Sequence, residues 1–337
     1  MTRNPTLIVG QGIAGTLAAF MLHRYDMPFM MIDPGNTLSS SQVAAGMFTP
    51  ISGKRKTIPP LAGEQISLAI TVYRQLEQLL ETPLLHLQNV YQVYHDAAEC
   101  DNLVAKGRLP LFDSYLHLNP VAIPQLHQPL GACTIGASGW VDCAALIQHF
   151  SQWLKDRSLL LEDVFDYTQL KVAKQGIMYE GNTFCNIIFC EGYQAINNPF
   201  FSQEKIIPCK GNVLTIHSAS LPANYIIKKN GIYLVPLGDG LFKVGATYQW
   251  NNASTIPDNE GRLQLEQQLH QLLNCDYTVV DHQAGVRPTT LNREVTCCQH
   301  PKLTGMYMFN GLGTKGVTQA PWYARQLVKG MVASAMQ

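Results

Sequence analysis

Hydrophobic positions along this chain change rhythm repeatedly, and each change marks an element. Leu7-Ile8-Val9 is a continuous apolar run suited to a strand buried on both faces. From Ile13 the spacing becomes helical through Leu17, Phe20 and Met21, and Phe29-Met30-Met31-Ile32 is a second apolar run ending in Asp33. Ile66, Ala69, Ile70, Tyr73, Leu76 and Leu80 predict an amphipathic helix over 66–80, and 90–94 alternates like a strand. Ala144, Leu146, Ile147, Phe150 and Leu154 mark a helix over 143–154, with Asp142 as its N-cap. The run 183–190 reads as one buried strand that stops at Glu191-Gly192. Between 206 and 247, short runs divided by turns predict antiparallel strands at 206–216, 225–228, 231–236 and 241–247, with a hairpin signal at Gly238-Asp239-Gly240. A polar-faced helix follows over 258–273, then a strand at 306–309 and a helix over 317–332. Pro321 is placed in the first turn or so of that helix, where a missing N–H costs little. The stretch 96–128 gives no assignable element, and 289–301 reads as irregular.

Glycines sit where the rhythm changes. Gly10-Gln11-Gly12-Ile13-Ala14-Gly15 has G-x-G-x-x-G spacing between the first strand and its helix. Gly10 permits the tight turn, Gly12 has no side chain to block a pyrophosphate, and Gly15 lets helix and strand approach. The free N–H groups and dipole of the helix start then suit phosphate. Asp33 is placed to accept from a ribose 2′-hydroxyl, which argues against a 2′-phosphate and so against NADP. That acid does not separate NAD from FAD. Asn310-Gly311-Leu312-Gly313-Thr314-Lys315-Gly316 is a second glycine-rich turn, leading into the helix that begins near Val317.

The chain has 337 residues, 46% hydrophobic and 14% charged, with zero formal net charge. That balance offers no attraction to nucleic acid or an anionic membrane. No apolar window is long enough to span a bilayer, and the first structural glycine at position 10 leaves no separate leader ahead of the fold. The cysteine count is odd and without C-x-x-C, which suggests reduced thiols and a cytoplasmic location. Cys297 and Cys298 are expected on opposite faces of a strand. The histidines lack metal-ligand spacing, and no metal site is expected.

Eight stretches in order resemble the D-amino-acid-oxidase superfamily of FAD enzymes, particularly the glycine-oxidase and sarcosine-oxidase branch. They are LIVGQGIAGTLAA with MID33, SSQVAAGMFTP at 40–50, GWVD at 139–142, IIFCEG at 187–192, IPCKGNVL at 207–214, YLVPLGDGLFKVGAT at 233–247, AGVRPTT at 284–290 and FNGLGTKGVTQAP at 309–321. A similar arrangement occurs in the oxidase half of a bifunctional tRNA wobble-uridine modification enzyme. The resemblance implies non-covalent FAD, with Gly10, Gly12, Ile13, Ala14 and Gly15 at the pyrophosphate and Asp33 at the ribose. Ser41, Ala45, Gly46 and Met47 would pass over the isoalloxazine, with Gly192 and Gly285 beside the cofactor. Gly311, Gly313, Thr314, Lys315, Gly316 and Val317 would face the flavin N1/C2 edge. Arg287, fixed in extended backbone by Pro288, would clamp a substrate carboxylate, helped by Tyr233, with Lys210 in a C-K-G turn a weaker candidate near the ring. The family's aspartate after the R-P motif is missing here, and Thr314 stands where some members have an arginine.

The fold class expected is α/β with α+β: a Rossmann-like FAD-binding domain from 1–60, 139–205 and 281–337, and a second domain from 61–138 and 206–280 on a mixed, largely antiparallel sheet. The expected activity is oxidation of the C–N bond of a small amine or amino acid, with hydride passing from Cα to flavin N5 and the imine hydrolysing. Dioxygen or another acceptor would reoxidise the flavin. Competing readings are oxidation of a modified nucleoside or tRNA-borne amine, a non-catalytic binding protein on the same fold, and an NAD-only dehydrogenase. The last leaves the second glycine turn without a role.

Overall fold

The computed structural model describes residues 4–35, 39–173 and 176–334. Its first sheet has six strands in the order Thr296–Gln299, Met306–Asn310, Asn186–Phe189, Thr6–Val9, Phe29–Ile32, Leu160–Leu161. All neighbours run parallel except the antiparallel edge strand Thr296–Gln299. A parallel sheet needs cover on both faces, and alternate side chains show it. Ile8 packs in a core with the helices Ile13–Arg24, Ala62–Leu80, Cys143–Lys155 and Gly316–Ser334, whereas Leu7 and Val9 pack beneath the small sheet of residues 170–184. Cys297 and Cys298 divide between the same two cores, so they do point to opposite faces.

The apolar run 183–190 is two strands, not one. Asn182–Phe184 pairs back onto Gly176–Tyr179, while Asn186–Phe189 joins the parallel sheet. Both halves are apolar, so hydrophobicity alone cannot show that the chain changes sheets at Cys185. In the unassigned stretch 96–128, a helix spans Ala97–Lys106, capped by Asp96, whose carboxylate accepts the Glu99 N–H at 2.7 Å.

A second, nine-stranded sheet is built on Ile206–His217, which pairs antiparallel with the thirteen-residue strand Thr278–Thr290. It is mixed, because Ile226–Lys229 runs parallel to Val90–Val93. One face packs on the helix Asn259–His270 through Leu265 and Leu269. The Thr278–Thr290 strand extends into the stretch read as irregular. Its Pro288 sits opposite Pro208, and the Pro288 carbonyl points away from that partner to accept the Gly313 N–H at 3.0 Å. Such a pair exchanges no ladder hydrogen bonds, so two residues without N–H groups cost nothing there. Packing cuts across two expected segments: the helix Ala62–Leu80 shares the core of the parallel sheet, and Thr278–Thr290 hydrogen-bonds into the second sheet.

Pro321 is the sixth residue of the helix Gly316–Ser334, deeper than the first turn. It therefore removes the N–H that would bond the Val317 carbonyl. The buried Tyr73 hydroxyl donates to that carbonyl at 2.8 Å instead. Burial raises the Tyr73 phenol well above its ordinary range, keeping the donor protonated. Tyr73→Phe is expected to leave the carbonyl unpaired and lower stability by about 1–3 kcal/mol in urea denaturation. An unchanged midpoint would show that the carbonyl has another partner.

Candidate functional site

Turns leave the carboxyl ends of neighbouring strands of the parallel sheet, the edge where such sheets bind ligands. Gly10 follows Thr6–Val9 with φ +98°, and a Cβ there would lie 2.6 Å from the Cys190 carbonyl oxygen. A Cβ on Gly15 would overlap the Gly10 carbonyl. These two glycines are required by backbone packing. Gly12 differs: it caps the helix with no side-chain hydrogen bond, and the nearest atom to a Cβ there is Ser41 Oγ at 3.6 Å. Its bare backbone therefore faces open space at a helix start. Asp33 is held in place, accepting from the Gln11 N–H at 2.6 Å and the Gly35 N–H at 2.9 Å. Each carboxylate oxygen keeps a lone pair for a further donor.

A cleft of about 2710 Å³ runs from Gly10–Gly12 and Asp33 to the turn Gly311–Gly316 and on to Tyr233 and Arg287. Both glycine-rich turns thus meet on one cavity, well above the roughly 300–1,000 Å³ of an ordinary small-molecule site. Of the residues expected at the cofactor, Gly15 does not line the cleft; it is buried behind Gly10. Ser41 Oγ accepts the Ile13 N–H at 3.1 Å, tying the small-residue loop to the helix start. That loop contains a short helix, Ser40–Val43, capped by Ser39. Gly46 then turns with φ +64°, where a Cβ would overlap the Val141 carbonyl. Gly285 lines the cleft, but it also lets Ser40 and Val43 pack on the second sheet, 3.2 Å from where its Cβ would be. The Asn310 amide donates to the Gly192 carbonyl at 2.8 Å, joining the last two strand-end turns.

At the other end, the Arg287 guanidinium lies flat on Gly211, where any Cβ would overlap it. Arg287 donates to the Thr247 carbonyl at 3.2 Å and sits 4.6 Å from the centroid of the Tyr248 ring. Among the described residues it has no carboxylate partner. Tyr233 reaches across Gly245, its hydroxyl 3.1 Å from where a Cβ would be. Burial pushes that phenol up to about 12, so it is a donor at neutral pH.

Lys210 does not line the cleft. It lies inside the strand Ile206–His217, not in a turn, nearly buried and paired with Asp258 at 2.5 Å. Lys315 is exposed at the cleft edge, and its carbonyl accepts the Thr318 and Gln319 N–H groups. Two cleft-lining residues had escaped the sequence reading. Lys243 reaches the carbonyls of Gln42 and Ala44 at 3.5 and 3.4 Å, pinning the small-residue loop. Glu191 accepts from the Tyr167 hydroxyl and the Asn198 amide, and burial raises its carboxyl above the usual range. Lys243 was legible as a lone charge in an apolar strand; Glu191 carried no signal beyond its place at a strand end. No group of three or more His, Cys, Asp or Glu among the described residues is arranged to hold a metal.

The bare Gly12 backbone at a helix start, the fixed acid at the end of the next strand and the long cleft together fit a dinucleotide bearing a ribose. The family model described as DAO, FAD-dependent oxidoreductase, matches residues 6–329. The fold is similar to that of a glycine oxidase from Geobacillus kaustophilus, with 18% identity, TM-score 0.82 and coverage of 99% of this chain and 95% of that one. An iminodiacetate oxidase from Chelativorans sp. BNC1 is similar at 20% identity and TM-score 0.82, covering 96% and 95%. A dithionite-reduced L-α-glycerophosphate oxidase from Mycoplasma pneumoniae with FAD bound is similar at 15% identity and TM-score 0.75, covering 98% and 94%. At these identities the likeness establishes the fold and leaves the substrate open.

Gly12→Ala isolates the diphosphate cradle from folding, because its Cβ would enter the cleft and not the core. The variant is expected to melt within a few degrees of wild-type apoprotein yet bind FAD at least tenfold more weakly, by flavin fluorescence titration. Equal affinity would place the diphosphate elsewhere.

Proposed function

The chain belongs to the DAO family of FAD-dependent oxidoreductases, and we propose that it oxidises the C–N bond of a small amine or amino acid bearing a carboxylate. Bound FAD supplies the two-electron acceptor for that oxidation, and the resulting imine hydrolyses in water. The observation that carries the reading is Arg287: a guanidinium facing the cleft, held by a carbonyl and an aromatic ring, with no acid to neutralise it among the described residues. A carboxylate on the substrate supplies the missing charge through paired N–H···O bonds. Tyr233 adds a neutral donor from a strand three places along the same sheet, and its raised pKa keeps the proton in place. These two groups orient the substrate, which is the protein's main contribution when a cofactor carries the redox step.

The remaining residues support the cofactor in this proposal. Gly10, Gly12 and the start of the helix Ile13–Arg24 hold the diphosphate, and Asp33 the ribose. The start of the helix Gly316–Ser334, with Lys315 beside it, faces the flavin's electron-rich edge and favours negative charge there. The FAD is held non-covalently. Cys143 and Cys190 line the cleft, but burial pushes the first thiol up to about 12 and the second well above its usual range, so neither supplies a thiolate. In this proposal the electron acceptor is dioxygen or another oxidant, and the enzyme works in the cytoplasm. Among the described residues no helix is long and apolar enough to cross a membrane.

Arg287→Ala is expected to raise KM for carboxylated amines about 10- to 100-fold, from the roughly 1.5–3 kcal/mol of a charged hydrogen bond, with the flavin spectrum intact. Arg287→Lys should recover little, since an ammonium cannot present a planar fork. The assay follows peroxide release and dye reduction across an amine panel. An unchanged KM would sink the clamp.

A further inference from the structure

Beyond the Arg287 end of the cleft lies a second group of cations that the proposed reaction does not use. Lys228 stands directly opposite Tyr233 on the neighbouring strand, and Gln92 stands opposite Lys228 on the next. Directly paired residues share a face, so the three side chains form a row across the sheet. Lys228 and Tyr233 line the cleft, together with Lys56 and Glu99. Lys56 pairs with Glu99 at 2.5 Å and donates to the buried Gln92 amide oxygen at 3.4 Å. Lys106 donates to the Lys56 carbonyl at 2.8 Å, fixing the loop from behind. Glu99 is thus already committed. Among the described residues the Lys228 ammonium, partly buried, has neither a hydrogen bond nor an ion pair.

An unpaired ammonium on a cleft wall is costly unless a ligand supplies the opposite charge. We propose that Lys228, with the Lys56–Glu99 pair beside it, forms a second anion subsite, and that the substrate is an amine carrying two acidic groups, one on Arg287 and Tyr233 and the other on Lys228. This rests on the carboxylated-amine reading above and narrows its substrate class. The Tyr233 hydroxyl lies over Gly245, one strand to one side of Tyr233, and Lys228 lies one strand to the other. The Arg287 guanidinium lies on Gly211, one strand beyond Gly245, so three strand spacings, about 14 Å, separate the two cationic ends at backbone level. After the reach of the side chains, that leaves room for acidic groups a few bonds apart. Charge along the cavity agrees: eight Lys and Arg residues line it against four Asp and Glu, in a chain of zero net charge. Burial, with Lys56 beside it, pulls the Lys228 ammonium down to about 8, a shift that a bound anion reverses.

The test uses FAD-loaded protein and N-methyl amino acids whose side-chain carboxylate lies one, two or three methylenes from Cα, each against its uncharged amide. Wild type should prefer at least one acid over its amide tenfold or more in kcat/KM. In Lys228→Met, of similar volume, that ratio should fall to near one, and in Lys56→Met it should shrink, with melting temperatures checking the fold. No preference in wild type, or one that survives both changes, overturns the subsite. If no amine is turned over at all, the parent reading fails on its own, and binding still decides this one. Glutarate should then raise the wild-type melting temperature more than butyrate does, and the difference should vanish in Lys228→Met. Equal shifts in wild type overturn it.

Discussion

The whole arrangement hangs on one close approach of three backbone segments. The Cys190 carbonyl, the Gly10 turn and the start of the helix Ile13–Arg24 are stacked so tightly that no Cβ fits at Gly10 or Gly15. This contact brings the ends of two adjacent parallel strands together and leaves the helix start facing the cleft. Everything downstream is measured from it: Asp33 reaches back to the Gln11 N–H, and Ser41 reaches across to the Ile13 N–H. A single added methyl group would have to move a strand, a turn and a helix at once. Close-packed interiors resist such shifts.

From that fixed point polar links lead through the turns of the first sheet and on to the second. The Asn310 amide bonds the Gly192 carbonyl, and the Gly313 N–H bonds the Pro288 carbonyl. The second link runs from the turn at the proposed flavin edge to the residue beside Arg287. It exists because the Pro208–Pro288 pair leaves that carbonyl free of the sheet ladder. The residue proposed to hold the substrate is therefore registered against the turn proposed to hold the cofactor, one residue and one hydrogen bond away. A site for transfer between two bound molecules needs this registration more than it needs an acid or a base.

Much of this was legible in the residues, and the misses have physical causes. The opening unit could be read because a buried strand, a glycine turn, a helix and a terminal acid each leave a local pattern. The helix Ala97–Lys106 was readable too, since Asp96 and Glu99 have capping spacing, but the surrounding prolines and histidines hid it. The break at Cys185 was not readable, because which sheet a strand joins is a tertiary fact. Nor was the depth of Pro321, whose cost is offset by a tyrosine that lies 244 residues away from Val317 along the chain. Lys210 was misread because Gly211, next to it in sequence, lines the cleft while its own side chain points to Asp258.

Lys210 also shows how the fold distinguishes cations that build it from cations that face a ligand. It is almost inaccessible, and Asp258, which caps the following helix, neutralises it; that carboxyl is held far below its usual range by the Lys210 ammonium and the Gly261 N–H. Asn212 bonds the same carboxylate and also Thr247, whose carbonyl holds Arg287. A fully paired network thus supports an arginine that is itself left without an acid. Burying a paired charge is tolerable, and leaving one unpaired beside it is costly. Where one protein does both within a single strand pair, the unpaired position fits the charge that the proposed substrate would bring.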